Sequence, residues 1–233
     1  MIPYRDNIPC RYTPWMTWSL IAVNTMLFLG IQYGLEAAPR NALFQLYGLV
    51  PARFTHPDWA VLIGFPPGDY SAFVSSLFLH SGWLHLVLNL WLLWIFGDNV
   101  EDRMGAVRFL LFYLACGLLA GALHIFFNVN SAIPTVGASG AIAGIMGAFY
   151  FLYPQARVVL WIPVFLLPLF VEVPAIAFVG LWVIIQMYKA TTFDPTIHPY
   201  ADVAWWGHIG GFIAGMLLHP LFLASERDPL LLE

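Results

Sequence analysis

The chain has 233 residues, of which 61% are hydrophobic and 9% charged. Ordinary soluble domains carry about 25% charged residues, so a soluble fold is excluded and the class is integral membrane protein. A net charge of −4 with no basic patch leaves no case for nucleic acid, and the apolar runs are far longer than the roughly ten-residue alternating segments of a membrane β-barrel.

Residues 1–15 are polar and contain prolines, and they read as a segment outside the bilayer. The apolar run that follows lacks an A-x-A cleavage signature and is predicted to stay as the first span, 16–34. Trp15 and Trp18 mark one interface and Tyr33 the other. Residues 35 to about 70 alternate apolar pieces with prolines at 39, 51, 57, 66 and 67, which predicts a long, structured, partly membrane-associated first loop. The second span is placed at 73–96, carrying His80, His85 and Asn89. The cluster Asp98, Asn99, Glu101, Asp102 and Arg103 reads as the connection to the third span, 106–127. A polar turn at 128–135 leads to the fourth span, 138–153, short for a bilayer that needs about 20 residues. Residues 158–171, broken by Pro163 and Pro168, read as interfacial. The fifth span is 173–188, with Pro174 in its first turn. A polar loop, 189–202, and the sixth span, 203–223, precede a charged tail, 224–233.

The expected fold is therefore all-α: one domain, 16–223, of six transmembrane helices with a long first loop and a short fourth helix. Six spans put both ends on one side. That side holds Arg5, Arg11, Arg103, Arg108, Arg157 and Arg227 against Arg40, Arg53 and Lys189 on the other, which favours cytoplasmic termini. Cys10 and Cys116 stand far apart, so neither a disulfide framework nor a metal knuckle is implied, and no cofactor is expected.

The chemistry concentrates around Ser139, which stands among Gly137, Ala138, Gly140, Ala141, Ala143, Gly144 and Gly147. Each interior glycine costs a soluble helix about 1 kcal/mol relative to alanine. In a bilayer, small residues three or four apart let two helix backbones approach closely. Gly207, Gly211 and Gly215 form a complementary stripe at spacing four, and His208 lies beside it. The sixth helix would thus deliver an imidazole to the serine. A serine hydroxyl needs such a base to become a nucleophile, and imidazole titrates near neutrality. The resulting oxyanion needs donors. His85 and Asn89, four apart on one helical face, can supply them. His80 would lie about 140° round the same helix, nearer the mouth. No carboxylate falls within a span near His208, since Asp202 sits at the interface, so a dyad is expected.

Three motifs carry a resemblance: GlyAlaSerGly at 137–140, HisSerGlyTrpLeuHisLeuValLeuAsn at 80–89 and GlyHisIleGlyGly at 207–211. Together, and in this order, they resemble the rhomboid intramembrane serine proteases. GlyLeuValProAla at 48–52 and GlyAspAsnValGluAspArgMetGly at 97–105 are similar to bacterial members. The resemblance implies Ser139 as nucleophile and His208 as general base. It implies an oxyanion hole from His85, Asn89 and the Ser139 N–H, with His80, Gly137 and Gly140 as accessory residues. It also implies single-span membrane proteins as substrates and a bacterial inner membrane as location. Two positions depart from the family. The first-loop Trp-Arg pair reads Ser71-Ala72, so the loop must be anchored otherwise. Ala143 stands where an aromatic often packs on the catalytic imidazole, which leaves Trp205 or Trp206 to orient His208.

Other readings fare less well. An inactive relative that holds client helices would lack the serine or the histidine. A metal-dependent hydrolase through His80, His85 and His208 has no HExxH and no intramembrane carboxylate ligand. A transporter would show inverted repeats with paired broken helices. His124 and His219 read as structural, and His56 and His198 as loop residues. Water is expected to reach Ser139 from the outer face past 128–135, under 189–202 as a lid, and a substrate helix to come in sideways past the fifth span.

Overall fold

The computed structural model describes residues 2–164, 167–192 and 204–224. Most of the predicted lid and nearly all of the charged tail therefore lie outside the described residues. In chain order the elements are β1 (Ile2–Asp6), α1 (Trp15–Gly34), α2 (Ala37–Tyr47), α3 (Pro51–Thr55), α4 (Pro57–Leu62) and α5 (Ala72–Ser75). A 3-10 turn (Ser76–Phe78) precedes α6 (Trp83–Met104), α7 (Ala106–Phe127) and α8 (Ser139–Leu152). Then come β2 (Arg157–Val164), β3 (Leu167–Pro174), α9 (Ala175–Thr192) and α10 (Trp205–Phe222). Among the described residues α1, α6, α7 and α9 are long and apolar enough to cross a membrane, and α8 is a shorter apolar helix. The chain is a mostly helical integral membrane protein.

Burial orders the helices. From Gly140 to Phe149 every residue of α8 is buried, as expected for a helix at the centre of a bundle. By contrast α1 buries only the stripe Thr17, Leu20, Asn24 and Phe28, and α9 only Ala175, Val179 and Gln186. α7 and α10 flank α8, while α1 and α9 lie outside. Phe96, Phe109, Phe112, Tyr113, Ile145 and Phe149 are fully buried in the core between them.

Glycine sets the spacing of the central helices. A Cβ at Gly211 would land on the Gly140 carbonyl oxygen, and one at Gly215 on that of Gly144. A Cβ at Gly144 would lie 2.5 Å from Cys116 Cβ on α7. Gly207 is less tightly held in this contact, its carbonyl oxygen lying 3.7 Å from a Cβ at Gly140. The nearest neighbour of a Cβ at Gly207 would be Ala204 Cβ at 3.3 Å, whereas Gly210, outside the predicted stripe, lies against Leu123 of α7.

The all-α expectation needs correction. β2 and β3 pair as the antiparallel strands of a hairpin, and β1 adds to them in the order β1-β2-β3. β1 pairs Ile2 with Trp161 and Asp6 with Val158, so the N-terminal segment is built into the fold. Val158, Val159, Trp161, Val171 and Val173 are β-formers. Pro163 and Pro168, which suggested a broken interfacial stretch, pair opposite one another beside the end of the hairpin, away from the middle of the ladder.

The second predicted span is also corrected. Residues 72–78 form α5 and the 3-10 turn, the helix is interrupted before Gly82, and α6 then runs on through the polar cluster to Met104. The cluster is helical because its side chains hold the start of α1 and the N-terminal segment. Glu101 Oε1 accepts from Met16 N (2.9 Å), and Oε2 accepts from Thr17 N and Thr17 Oγ1 (2.7 Å each). These are first-turn amides that an α-helix cannot satisfy itself. Asp102 Oδ1 accepts from Tyr12 N at 2.9 Å, and Asn99 Nδ2 donates to Asp6 Oδ2 at 2.9 Å. Each buried donor orphaned by Glu101→Ala should cost about 1–3 kcal/mol. At about 2–4 °C per kcal/mol for a chain of this size, the thermal midpoint in detergent should fall by roughly 5 °C or more. Asp102→Ala, which orphans amides of exposed residues, should change it much less. Equal midpoints for the two variants would refute the capping role.

Candidate active site

Ser139 opens α8, which has no side-chain cap, so the first amides of the helix, that of Ser139 among them, have no intrahelical partner. α10 runs beside α8, locked by the glycine contacts, and His208 sits in its first turn. His208 Nε2 is 2.8 Å from Ser139 Oγ. Both residues are half-buried.

The other face of the imidazole departs from expectation. His208 Nδ1 lies 2.7 Å from Gln186 Oε1 of α9. Trp182 tilts against the ring at 5.8 Å and Trp205 meets it edge-on at 6.0 Å. Trp206 turns away and stacks on Phe127 at 3.7 Å. Gln186 escaped the sequence reading because it is not titratable and belongs to no motif. The signal was its lone amide within an apolar run, where a polar side chain is costly and needs a partner.

His85 lies in the first turn of α6 and Asn89 one turn further. The Ser81 hydroxyl is 3.1 Å from His85 Nδ1. With that hydroxyl donating, Nε2 carries the proton. Gly137, at φ 129°, brings its backbone so close that a Cβ there would sit 2.6 Å from His85 Nε2. Only glycine combines that backbone conformation with that approach. Asn89 Nδ2 donates to His85 O at 3.0 Å and lies 3.6 Å from the same Cβ position, so its second N–H remains for another acceptor. Ser139, His208, His85, Asn89 and Gly137 are thus brought together. Gly140 lets α8 approach α7, since a Cβ there would lie 2.7 Å from Ala120 Cβ.

His80 is not at the mouth. The interruption before α6 turns it inward, 2% exposed, with its ring edge-on to His85 at 5.2 Å. Neither of its ring nitrogens makes a well-formed hydrogen bond among the described residues. His124 Nε2 pairs with Thr135 Oγ1 at 3.0 Å, His219 Nδ1 with the Met216 carbonyl at 2.8 Å, and His56 Nε2 with Asn130 Oδ1 at 2.8 Å. His198 and Asp202 lie outside the described residues.

Two cavities reach the serine. One of about 30 Å³ lies between His124, Thr135, Ser139 and His208, room for one or two waters. The other, about 630 Å³, is a groove between α6 and α9, floored by Ile142, Ala143 and Met146 and rimmed by Leu84 and Leu88. Ala143 leaves open the space an aromatic would fill. Phe96 of α6 and Phe178 of α9 stack at 6.3 Å. In the first loop, Arg53 and Asp69 pair at 2.6 Å and the guanidinium lies over Phe65 at 4.8 Å, an anchor that the sequence reading had not assigned. Hydrogen bonds from Ser71, then Arg53, hold the Asp69 carboxyl down to about 2.

Comparison with known proteins finds relatives over much of the chain. Rhomboid protein 1, mitochondrial, of Saccharomyces cerevisiae is 27% identical over 193 residues, 77% of this chain and 52% of that protein. RHOMBOID-like protein 6, mitochondrial, of Arabidopsis thaliana is 28% identical over 159 residues, 59% of this chain and 51% of its own length. Rhomboid protease GluP of Bacillus subtilis is 42% identical over 84 residues, 36% of this chain and 16% of that protein. The chain spans about half the length of the first two relatives. Residues 67–225, which include every side chain of the serine site, match the family model of the Rhomboid domain, and the chain belongs to the rhomboid family.

Proposed function

We propose that this chain is an intramembrane serine endopeptidase that hydrolyses peptide bonds in or near transmembrane helices of single-span membrane proteins. The observation that carries this reading is the 2.8 Å approach of His208 Nε2 to Ser139 Oγ. As His208 takes the hydroxyl proton, Oγ attacks the substrate carbonyl. His85, Asn89 and the Ser139 N–H receive the oxyanion. His208 then protonates the departing amine, and water, deprotonated by the same imidazole, releases the acyl group. His80 backs His85 as an accessory residue.

In this reading α8 and α10 join α1, α6, α7 and α9 as six spans of one domain, 16–223, flanked by cytoplasmic 1–15 and 224–233. Support for a common side comes from Ala224 N donating to Arg103 O at 2.9 Å, close to the residues that hold the start of α1. The six arginines placed on that side by the sequence favour the cytoplasm of a bacterial inner membrane. The substrate helix comes in through the groove between α6 and α9 and unwinds there, because a helical peptide bond is internally hydrogen-bonded and shielded.

The test is a fluorophosphonate label followed by peptide mass mapping, run with and without EDTA. Label on the peptide bearing Ser139, indifferent to EDTA, is expected. An active preparation that takes no label there, or that EDTA silences, would overturn the mechanism. An inactive client-binding relative would neither cut nor label. Asn89→Ala should lower turnover by roughly 10²–10³, as loss of one oxyanion donor does in a soluble serine protease, and His85→Ala should act in the same direction. Full activity in both variants would make these two residues structural.

A further inference from the structure

We propose that Gln186 is a positioning residue for His208: its amide oxygen selects the imidazole tautomer that leaves Nε2 free to accept the serine proton. This inference rests on the Ser139–His208 reading and deepens it.

A neutral imidazole has one N–H and one lone pair, and which nitrogen holds which is set by the partner of the other. With the Gln186 carbonyl oxygen 2.7 Å from Nδ1, the proton belongs on Nδ1 and the lone pair on Nε2, facing Ser139 Oγ. The opposite tautomer would point an N–H at the hydroxyl, and His208 could not act as base. Among the described residues, the other rings against the imidazole, Trp182 and Trp205, cannot do this, because indole is a donor only. Nor can α8 hold the ring by stacking, since Ala143 occupies that position.

Burial of the amide points the same way. Gln186 is 5% exposed, on a helix that otherwise buries only Ala175 and Val179. An amide taken out of water without a partner costs about 1–3 kcal/mol in proteins. The partner of Gln186 Oε1 is His208. When His208 becomes imidazolium, the Nδ1–H still donates to this oxygen, so a neutral amide holds the ring through both protonation states.

The experiment compares wild type, Gln186→Met and Gln186→Glu in lipid nanodiscs. Gln186→Met keeps the volume and removes the acceptor, whereas Gln186→Glu keeps an acceptor oxygen. Gln186→Met should lower kcat roughly 10²-fold with KM unchanged, below the about 10⁴-fold that a wrong-tautomer partner costs a soluble triad. The rate of fluorophosphonate labelling at Ser139 should fall in step, and Gln186→Glu should regain most of both. Nitrogen NMR of histidine-labelled protein should find His208 protonated at Nδ1 in wild type and in Ser139→Ala, and shifted toward Nε2–H in Gln186→Met. Unchanged kcat and labelling in Gln186→Met would overturn the inference. So would a change in KM alone, which would make Gln186 a substrate contact. Should Gln186→Met fail to fold, Nε2–H in the wild type or an inactive, folded Gln186→Glu would overturn it equally. A wild type that cuts without labelling at Ser139 would instead defeat the underlying catalytic reading, and the nitrogen spectrum would still report on Gln186.

Discussion

Ser139→Ala should lose all measurable cleavage of a transmembrane reporter while its thermal midpoint stays close to that of the wild type. The change removes one oxygen from the first residue of α8 and leaves the helix, its glycine contacts and the groove as they were. The serine hydrogen bond to His208 is lost, but both side chains are half-buried and open to cavities, so water can replace it. His208→Ala should be equally inactive. In a soluble serine protease, removing either member of such a unit costs about 10⁶ in turnover, and removing both costs little more. The double variant should therefore be no worse than either single one. Cleavage rates of purified variants, measured beside their midpoints, decide the matter. Residual activity in Ser139→Ala above a thousandth of wild type would mean that the hydroxyl 2.8 Å from His208 is not the nucleophile.

Gly211→Val should come close to that loss without touching a reacting group. Its Cβ would fall on the Gly140 carbonyl, and a backbone oxygen cannot rotate aside as a side chain can. α10 must move outward, and His208 moves with it, three residues away. A misplacement of about 1 Å in a catalytic geometry can cost 10²-fold. Overpacking of this kind also costs about 1–3 kcal/mol, so the midpoint should fall as well. Gly144→Val should behave alike, wedged between Cys116 and the Gly211 carbonyl, which would lie 2.6 Å from its Cβ at the sulfur and 3.1 Å at the oxygen. Gly180→Ala on α9, with nothing within 4 Å, is the neutral control. Wild-type activity and midpoint in Gly211→Val would mean that the two helices are not in glycine contact, and the placement of His208 would lose its support.

Long unbroken apolar runs were readable directly, and α7 begins and ends where the sequence placed it, at Ala106 and Phe127. That Ser139, His208, His85 and Asn89 meet in space was readable because reactive side chains inside spans are few and each needs a partner. The hairpin was not, because a short apolar run with prolines has no period that separates strand from irregular chain. His80 was misplaced because a single helical period was carried across residues 73–96, and the interruption before Gly82 leaves little trace in hydropathy. The polar residues 98–103 looked like a loop because their partners, Met16, Thr17 and Tyr12, are more than eighty residues away in the chain. Gln186 and Gly210 depend on which face of a helix meets which neighbour, a matter of rotation that composition does not encode.

The groove rimmed by Leu84 and Leu88, 73% and 55% exposed, opens where acyl chains would lie. For anything that reaches Ser139 by that side, concentration is a mole fraction in two dimensions. Adding lipid at fixed protein and substrate should slow the proposed cleavage by dilution, although the molarities of protein and substrate are unchanged. Inhibitors should rank by partition coefficient multiplied by intrinsic reactivity. Each added methylene, at about 0.8 kcal/mol, raises the local concentration roughly fourfold, so a modest electrophile on an oily tail should outperform a reactive polar one.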